Sequence, residues 1–416
     1  MFLPHTCCRA CGYAFHGAGG NRNPNERLMS VLNLGVQPLA NDFCKQGQER
    51  QGYAPLEVLF CERCGLAQLS VVVKPEVLYK NYAYVTSDSE TMKKHFASLV
   101  KDLTAEQPAG SVVEIGSNNG ALLKYLKESG FGPVVGIEPA ENLAKESEKA
   151  GIGVLNDFLT TQSALNAKFS CAGKVSFVLL RHCFCHMENW HTAIEALEEL
   201  SDKDTLICIE VPYLPDQIAN VSFDQVYHEH TSYLCLSAMA ALLEGTDFII
   251  HKVIKYPIHG GCVMVMLRNQ FSGYPVDPSV HTFLEQEKIT ADTWREFAAE
   301  AHAQIHKLRI LVKSLRESGK TVCGYGASAK SSVWYASCGF TKKDVMFTTD
   351  TTPQKMYTVS PGTDIPVVDP GALMRELPDY CIIWAWNYLP EILEKEKLYR
   401  EKGGRFIVPV PKIRIL

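Results

Sequence analysis

Tyr227, His228, Glu229 and His230 stand in one unbroken run inside "FDQVYHEHTSYL", the stretch from Phe223 to Leu234. A phenol, two imidazoles and a carboxylate this close suit a metal site, an acid–base site or an ordinary polar loop. Spacing demotes the metal. His228 and His230 are two residues apart and diverge on a helix, though such a pair can bind metal in a loop. No further ligand motif accompanies them.

A second reactive set is sulfur. Cys8-Arg-Ala-Cys11 and Cys61-Glu-Arg-Cys64 share one spacing, and each is followed by glycine, Gly12 or Gly65. Two such knuckles offer four thiolates, a closed tetrahedral set for structural Zn2+. His5, His16 and Cys7 rank below the four cysteines as ligands. The alternative is free thiols or a redox pair. A redox C-x-x-C usually follows a strand and opens a helix. Here the Gly/Asn-rich "HGAGGNRNPN" follows the first knuckle and reads as a loop.

A third set is glycine and acid. "SVVEIGSNNGALLKYLKESG" reads as a strand (Val112–Ile115), a turn from Gly116 to Gly120, and an amphipathic helix. The next strand, in "GPVVGIEPAENLA", ends in Glu138. Such a layout makes a nucleoside pocket: the glycines admit the ligand and the acid takes the ribose hydroxyls. The turn is G-x-x-x-G, which argues against a dinucleotide. "EIGSNNG" resembles the first motif of the S-adenosylmethionine (SAM) methyltransferases. That resemblance implies Glu114 near the methionine end, with Gly116, Asn118 and Gly120 in the turn and Glu138 on the ribose. Asp157 and Phe158 follow a short strand, where an adenine edge and face are often met. A parallel α/β scaffold without cofactor is the alternative.

"KTVCGYGASAKSSVWYASCG" repeats this logic near the C-terminus. A strand (Thr321–Cys323) meets Gly324, Gly326, Ser328 and Lys330, a helix follows, and "DVMFTTD" ends at Asp350. Glycines and Ser328 at a helix N-terminus suit a phosphate, and Lys330 adds charge. Two nucleotide-like pockets suggest a group-donor cofactor with a nucleotide-activated substrate, most commonly a nucleotide sugar.

The elements that must hold these groups alternate strand and helix, with further strands expected at Val175–Leu180 and Thr205–Glu210 and a helix at Trp190–Leu200. A length of 416 residues suggests two or three domains. Composition is that of a globular protein, 46% hydrophobic and 21% charged. The net charge of −5, without a basic segment, argues against a nucleic-acid partner. Fifteen cysteines spread along the chain read as thiols or metal ligands rather than a disulfide framework. Cys208 and Cys381 sit in apolar runs as core fillers. No apolar run reaches a bilayer span, so no membrane partner is expected. "MFLPHTCCRACG" lacks a signal-peptide layout, and a cytoplasmic location is the expectation.

Together the stretches "CRACG", "QPLANDF", "FCERCGLAQL", "LYKNYAYVTSDSETMKKH", "VVEIGSNNGALLK", "VGIEPAENLA", "RHCFCHMENWH", "DQVYHEH", "HGG", "GYGASAK", "SPGTDIPV" and "GGRFIVPVP" resemble one family. It is the zinc-containing, SAM-dependent C-methyltransferases of nucleotide-linked 4-keto-deoxysugars. The motifs run in family order from Cys8 to Pro411. The resemblance implies an α/β chain of three domains: a zinc-binding domain (1–85), a Rossmann-like SAM domain (86–255) and a C-terminal Rossmann-like nucleotide-sugar-binding domain (256–416).

It further implies a methyl transfer to carbon through a base-assisted enolate. His230 is the favoured base, beside Tyr227 and Glu229. His186 faces the site, and a tyrosine of "YAY" closes it, Tyr84 in preference to Tyr82. Substrate contacts fall to Tyr82 and to Gly324, Gly326, Ser328, Lys330 and Asp350. The sequence departs from the family at Asn119 and at Asp364, where aspartate and histidine are expected. An O- or N-methyltransferase of another small metabolite is the alternative. Oligomeric state leaves no sequence signal, and a monomer is the default.

Overall fold

The computed structural model describes residues 2–4, 7–12, 28–45, 47–48, 52–79, 82, 84–86 and 89–416. His5, His16 and the loop after the first knuckle lie outside the described residues.

The two glycine-turn motifs head two separate sheets. The middle sheet has seven strands, in the order Phe248–Tyr256, Cys262–Asn269, Leu206–Pro212, Phe177–Arg181, Val112–Ile115, Val134–Ile137, Gly153–Leu155. Its last five are mutually parallel, and Cys262–Asn269 runs antiparallel to both neighbours. Strands buried on both faces need continuous apolar runs. "VVEI", "FVLLR" and "LICIEVP" supply them, and every residue of Leu206–Pro212 is buried. Cys262–Asn269 lies beyond the expected boundary between 255 and 256 and pairs with Leu206–Pro212 in this sheet.

The C-terminal sheet has six strands, ordered Val367–Val368, Thr348–Thr349, Val322–Tyr325, Tyr380–Ile383, Arg405–Val408, Arg414–Ile415. All pairs are parallel except the last. In both sheets the strand before the glycine turn lies between the strand that follows it and one that returns from the far side. That is a topological switch point, where α/β sheets bind ligands at the carboxyl ends of their strands.

The N-terminal region forms an antiparallel sheet of Leu28–Pro38, Tyr53–Cys61 and Ala67–Leu69. Its fourth strand, Ser232–Tyr233, comes from the middle unit and pairs Ser232 with Gln68 and Tyr233 with Ala67. On its other side the sheet meets the C-terminal unit. Leu32, Phe60 and Leu69 share a core with Trp294, Trp334 and Trp384. Gln37 Nε2 donates to Ser337 Oγ at 2.9 Å. Among the described residues no helix is long and apolar enough to cross a membrane.

The knuckles bring Cys8 Sγ within 3.5 Å of Cys64 Sγ and Cys11 Sγ within 3.7 Å of Cys61 Sγ. All four sulfurs lie within 4.8 Å of one another. A tetrahedral zinc with bonds of about 2.3 Å wants sulfurs about 3.8 Å apart, so the set fits zinc. Each knuckle closes through a glycine amide, Gly12 N to Cys8 O at 3.0 Å and Gly65 N to Cys61 O at 2.8 Å. Both glycines have φ in the left-handed region, +65° and +82°, which explains glycine there. We expect one zinc per chain by metal analysis. Cys61→Ser should lose it and lower the melting temperature, because structural zinc contributes folding free energy. Metal-free protein of unchanged stability would refute this assignment.

Candidate active site

A cavity of about 900 Å3 opens where the two sheets' strand ends and the N-terminal region face one another. Asn41, Tyr82 and Tyr84 line it from the first unit, and Glu114, Gly116, Asn118, Glu138, Asp157, Phe158, His186, Tyr227 and His230 from the second. Gly326, Ser328, Lys330 and Asp350 line it from the third.

The turn after Val112–Ile115 is built by its glycines. Gly116 (φ +67°) lies against Cys183, and a Cβ there would stand 2.8 Å from the Cys183 Cβ. Gly120 caps the following helix and packs on Ser147, outside the cavity lining. Glu138 accepts the Asn118 amide on one oxygen and the Ala140 amide on the other, both at 2.8 Å. A carboxylate has about four acceptor sites, so two remain for a ligand's hydroxyls. Burial pushes Glu138 above the usual carboxylate range, and those two amides oppose the shift. Glu114 is more extreme: burial pushes it up to about 8 despite Arg181, whose Nη1 lies 3.6 Å away. Asp157 is exposed and caps the Phe158 amide at 2.8 Å.

In the opening motif the four side chains separate by role. His230 Nδ1 lies 2.9 Å from the Gln225 carbonyl, which can only accept, so Nδ1 carries the proton. Nε2 is then the lone-pair nitrogen, and it meets the Tyr227 hydroxyl at 2.6 Å. Burial, with His186, Lys330 and His182 nearby, pushes His230 well below the ordinary imidazole range. It is neutral at pH 7. His186 stacks on the His230 ring at 5.2 Å and on Tyr79 at 5.8 Å. Burial and His182 push His186 down to about 3.

Glu229 is not at the cavity surface. It lies one layer behind, taking the Tyr82 hydroxyl at 2.7 Å and Asn41 Nδ2 at 2.8 Å on each oxygen. His228 turns away and donates to the Ala54 carbonyl at 3.1 Å. Of the "YAY" tyrosines, then, it is Tyr82 and not the favoured Tyr84 that bonds to the motif. Tyr84 keeps its ring in the cavity and gives its carbonyl to Asn118 Nδ2 at 3.1 Å.

The third unit mirrors the second. Asp350 accepts the Ala327 amide at 2.7 Å and the Thr352 amide at 2.8 Å, as Glu138 does in its own turn. Ser328 caps the helix Ala329–Cys338. Gly324 lies outside the cavity lining; a Cβ there would stand 2.5 Å from the Tyr335 hydroxyl, so this glycine serves packing. Lys330 is half-buried over the Trp386 ring at 5.9 Å, and desolvation lowers it while Asp224 opposes. Asp364 accepts the Lys342 amide at 2.7 Å, and neither it nor Asn119 lines the cavity.

Sequence reading missed Asn41, Tyr79, His182, Glu210, His259 and Lys355. Asn41 and His259 stood in quoted stretches, "QPLANDF" and "HGG", without a role. Lys355 Nζ donates to the Ala327 carbonyl at 2.9 Å, and no local pattern flags it.

Two α/β units with ligand turns face a zinc-knuckle sheet, and the comparisons assign this arrangement to the SAM-dependent methyltransferases. Family models match all three regions: a zinc binding domain at 24–79, a methyltransferase domain at 89–253 and a C-methyltransferase C-terminal domain at 257–411. The chain is 34% identical to the C-methyltransferase NovU of Streptomyces niveus, over 98% of this chain and 96% of that one. It belongs to the zinc-containing, SAM-dependent C-methyltransferases. Among solved structures it is similar to a SAM-dependent methyltransferase of Anabaena variabilis (15% identity, TM-score 0.37, 45% of this chain and 88% of that one). It is also similar to the magnesium protoporphyrin IX methyltransferase of Synechocystis with bound SAM (15%, 0.33, 45% and 88%).

Two outcomes are expected for the cofactor. Glu138→Ala should weaken SAM at least about tenfold, since each charge-assisted hydrogen bond contributes about 1.5–3 kcal/mol. Unchanged affinity by calorimetry would remove Glu138 from the pocket. Glu114 should report through pH. Its carboxyl is mostly protonated below about 8, and a cationic ligand favours the ionised form. SAM affinity should therefore rise with pH towards 8 and then level, with proton release on binding near pH 7. Calorimetry in buffers of different ionisation enthalpy measures that release, and Glu114→Gln should abolish it.

Proposed function

We propose that this enzyme adds a methyl group to the carbon beside the ketone of a nucleotide-linked 4-keto-deoxysugar, in the cytoplasm. The observation that carries the reading is the Tyr227–His230 pair. A neutral imidazole, its lone-pair nitrogen 2.6 Å from a phenol, faces the same cavity as both ligand turns.

A carbon beside a ketone becomes a nucleophile once it loses a proton, because the charge moves to oxygen. The protein must offer a base and a donor for that oxygen. His230 is oriented for the base role by Gln225, and Tyr227 is the group through which the proton reaches Nε2. Behind the pair, burial pushes Glu229 above the usual carboxylate range, and its hydrogen bonds from Tyr82 and Asn41 oppose that shift. Glu114, Asn118 and Glu138 would hold SAM, whose sulfonium supplies an electrophilic methyl group when bound. Gly326, Ser328, Lys330 and Asp350 would take the nucleotide part of the sugar. On this reading the three functional units are the zinc-binding, SAM-binding and nucleotide-sugar-binding domains.

His230→Asn should lower turnover about 10²–10⁴-fold while SAM still binds, the usual range for a general base. His228→Asn should be milder, since its ring serves Ala54. The direct check is mass spectrometry of reactions with SAM and a panel of nucleotide-linked 4-keto sugars. Full activity of His230→Asn, or a methyl group found on oxygen or nitrogen, would refute the proposal.

A further inference from the structure

Beside the cavity stands an imidazole–carboxylate pair that the Tyr-His-Glu-His motif does not include. His182 follows the strand Phe177–Arg181, next to the switch point, and lines the cavity. Its Nε2 lies 2.9 Å from Glu210 Oε1. Glu210 is fully buried, and its other oxygen lies 2.7 Å from His95 Nε2. Arg181 Nε is 3.6 Å from the same carboxylate. These neighbours hold Glu210 well below the usual carboxylate range against its own burial.

The backbone is bent to place this ring. His182 has φ +52°, in the left-handed region, and its amide donates to the Glu210 carbonyl at 2.7 Å. A non-glycine residue there is uncommon and is a reason to look for function. His259, also at φ +52°, packs edge-on against the His182 ring at 4.8 Å. The groups around His182 are Arg181, Glu210, Cys262, His259 and His186. His182, Glu210 and Cys262 could also approach a metal ion. The Arg181 guanidinium beside the same carboxylate already supplies the positive charge, so an ion-pair network is the better description.

We infer that His182, with Nε2 beside Glu210, presents Nδ1–H to the substrate's ketone oxygen as its proton donor. This rests on the reading above and completes it. Tyr227 and His230 stand on the base side. His186 lacks a carboxylate partner and stays neutral, which makes it the weaker donor. With Nε2 turned to the Glu210 carboxylate, Nδ1 is the ring nitrogen left for the substrate. The balance is simple. One proton leaves carbon for the Tyr227–His230 pair, one passes from Nδ1 to oxygen, and the C–H electron pair becomes the C=C bond of the enol. No oxidant or further reactant enters. Glu210 acts as the positioning residue.

The test is exchange of the substrate's C–H proton with deuterated water, read by mass spectrometry with S-adenosylhomocysteine in place of SAM. Asparagine tolerates positive φ, so His182→Asn keeps the backbone. It should slow exchange at least about a hundredfold with SAM affinity and melting temperature unchanged. In His182→Gly, added imidazole should restore part of the exchange, which a structural role would not allow. Exchange within threefold of wild type in His182→Asn would overturn the proposal. So would losses that track SAM affinity or stability, or absence of rescue in a folded His182→Gly. If the wild-type enzyme itself exchanges no C–H proton yet methylates oxygen or nitrogen, the underlying reading fails, and this one with it.

Discussion

The active site depends on how one irregular stretch is held. Residues 223–234 contain only a single 3₁₀ turn and a two-residue strand, so their polar groups must find partners elsewhere. The partners come from every unit. Asp224 accepts the indoles of Trp334 and Trp386 at 3.0 and 2.8 Å, both from the C-terminal unit. Ser232 and Tyr233 join the N-terminal sheet. Between these anchors the residues that face the cavity have little freedom. The His230 ring is fixed at Nδ1 by Gln225 from the same stretch, so its orientation follows the backbone.

Burial sets the electrostatics of this cavity, and hydrogen bonds correct it selectively. His186, His230 and His259 are all pushed towards the neutral form. Glu114 is pushed towards the protonated form, whereas Glu210, with His182, His95 and Arg181 around it, stays ionised. A cavity lined only by neutral imidazoles would offer acceptors and weak donors. Placing one ionised carboxylate behind one imidazole makes the histidines unequal. Unequal environments of this kind are what separate an acid from a base within one site.

The sequence made the carriers of ligand chemistry readable where chemistry and backbone coincide. A glycine turn after an apolar strand, or a C-x-x-C-G knuckle, carries function and conformation in the same residues. Val112–Ile115 and Trp190–Leu200 stand where the periodicity put them. What could not be read is pairing across long separations. Asn41 and Glu229 are far apart in the chain and mean nothing singly. The same holds for His182, just past one apolar strand, with Glu210 inside another. Sheet membership was hidden for the same reason: only the pairing of Cys262–Asn269 with Leu206–Pro212 tells which sheet it joins. Gly324 shows the opposite error, a glycine in a ligand-like pattern whose missing side chain makes room for Tyr335 and Trp384.

The zinc knuckle is more than a distant staple. Arg9 lies between Cys8 and Cys11 and is buried; its Nη1 donates to the Thr231 carbonyl at 2.6 Å. The same carbonyl takes the Leu69 amide at 2.9 Å. The Thr231 hydroxyl lies within 2.9 Å of the Cys185 carbonyl and 3.0 Å of the Met187 carbonyl, on either side of His186. Thr231 thus ties the knuckle to the residue after His230 and to both neighbours of His186. One threonine links the segments carrying the two stacked imidazoles to the loop of Cys8 and Cys11. A zinc site with no catalytic position can therefore govern catalytic geometry, because the sheet it closes is the sheet on which the reactive stretch is hung.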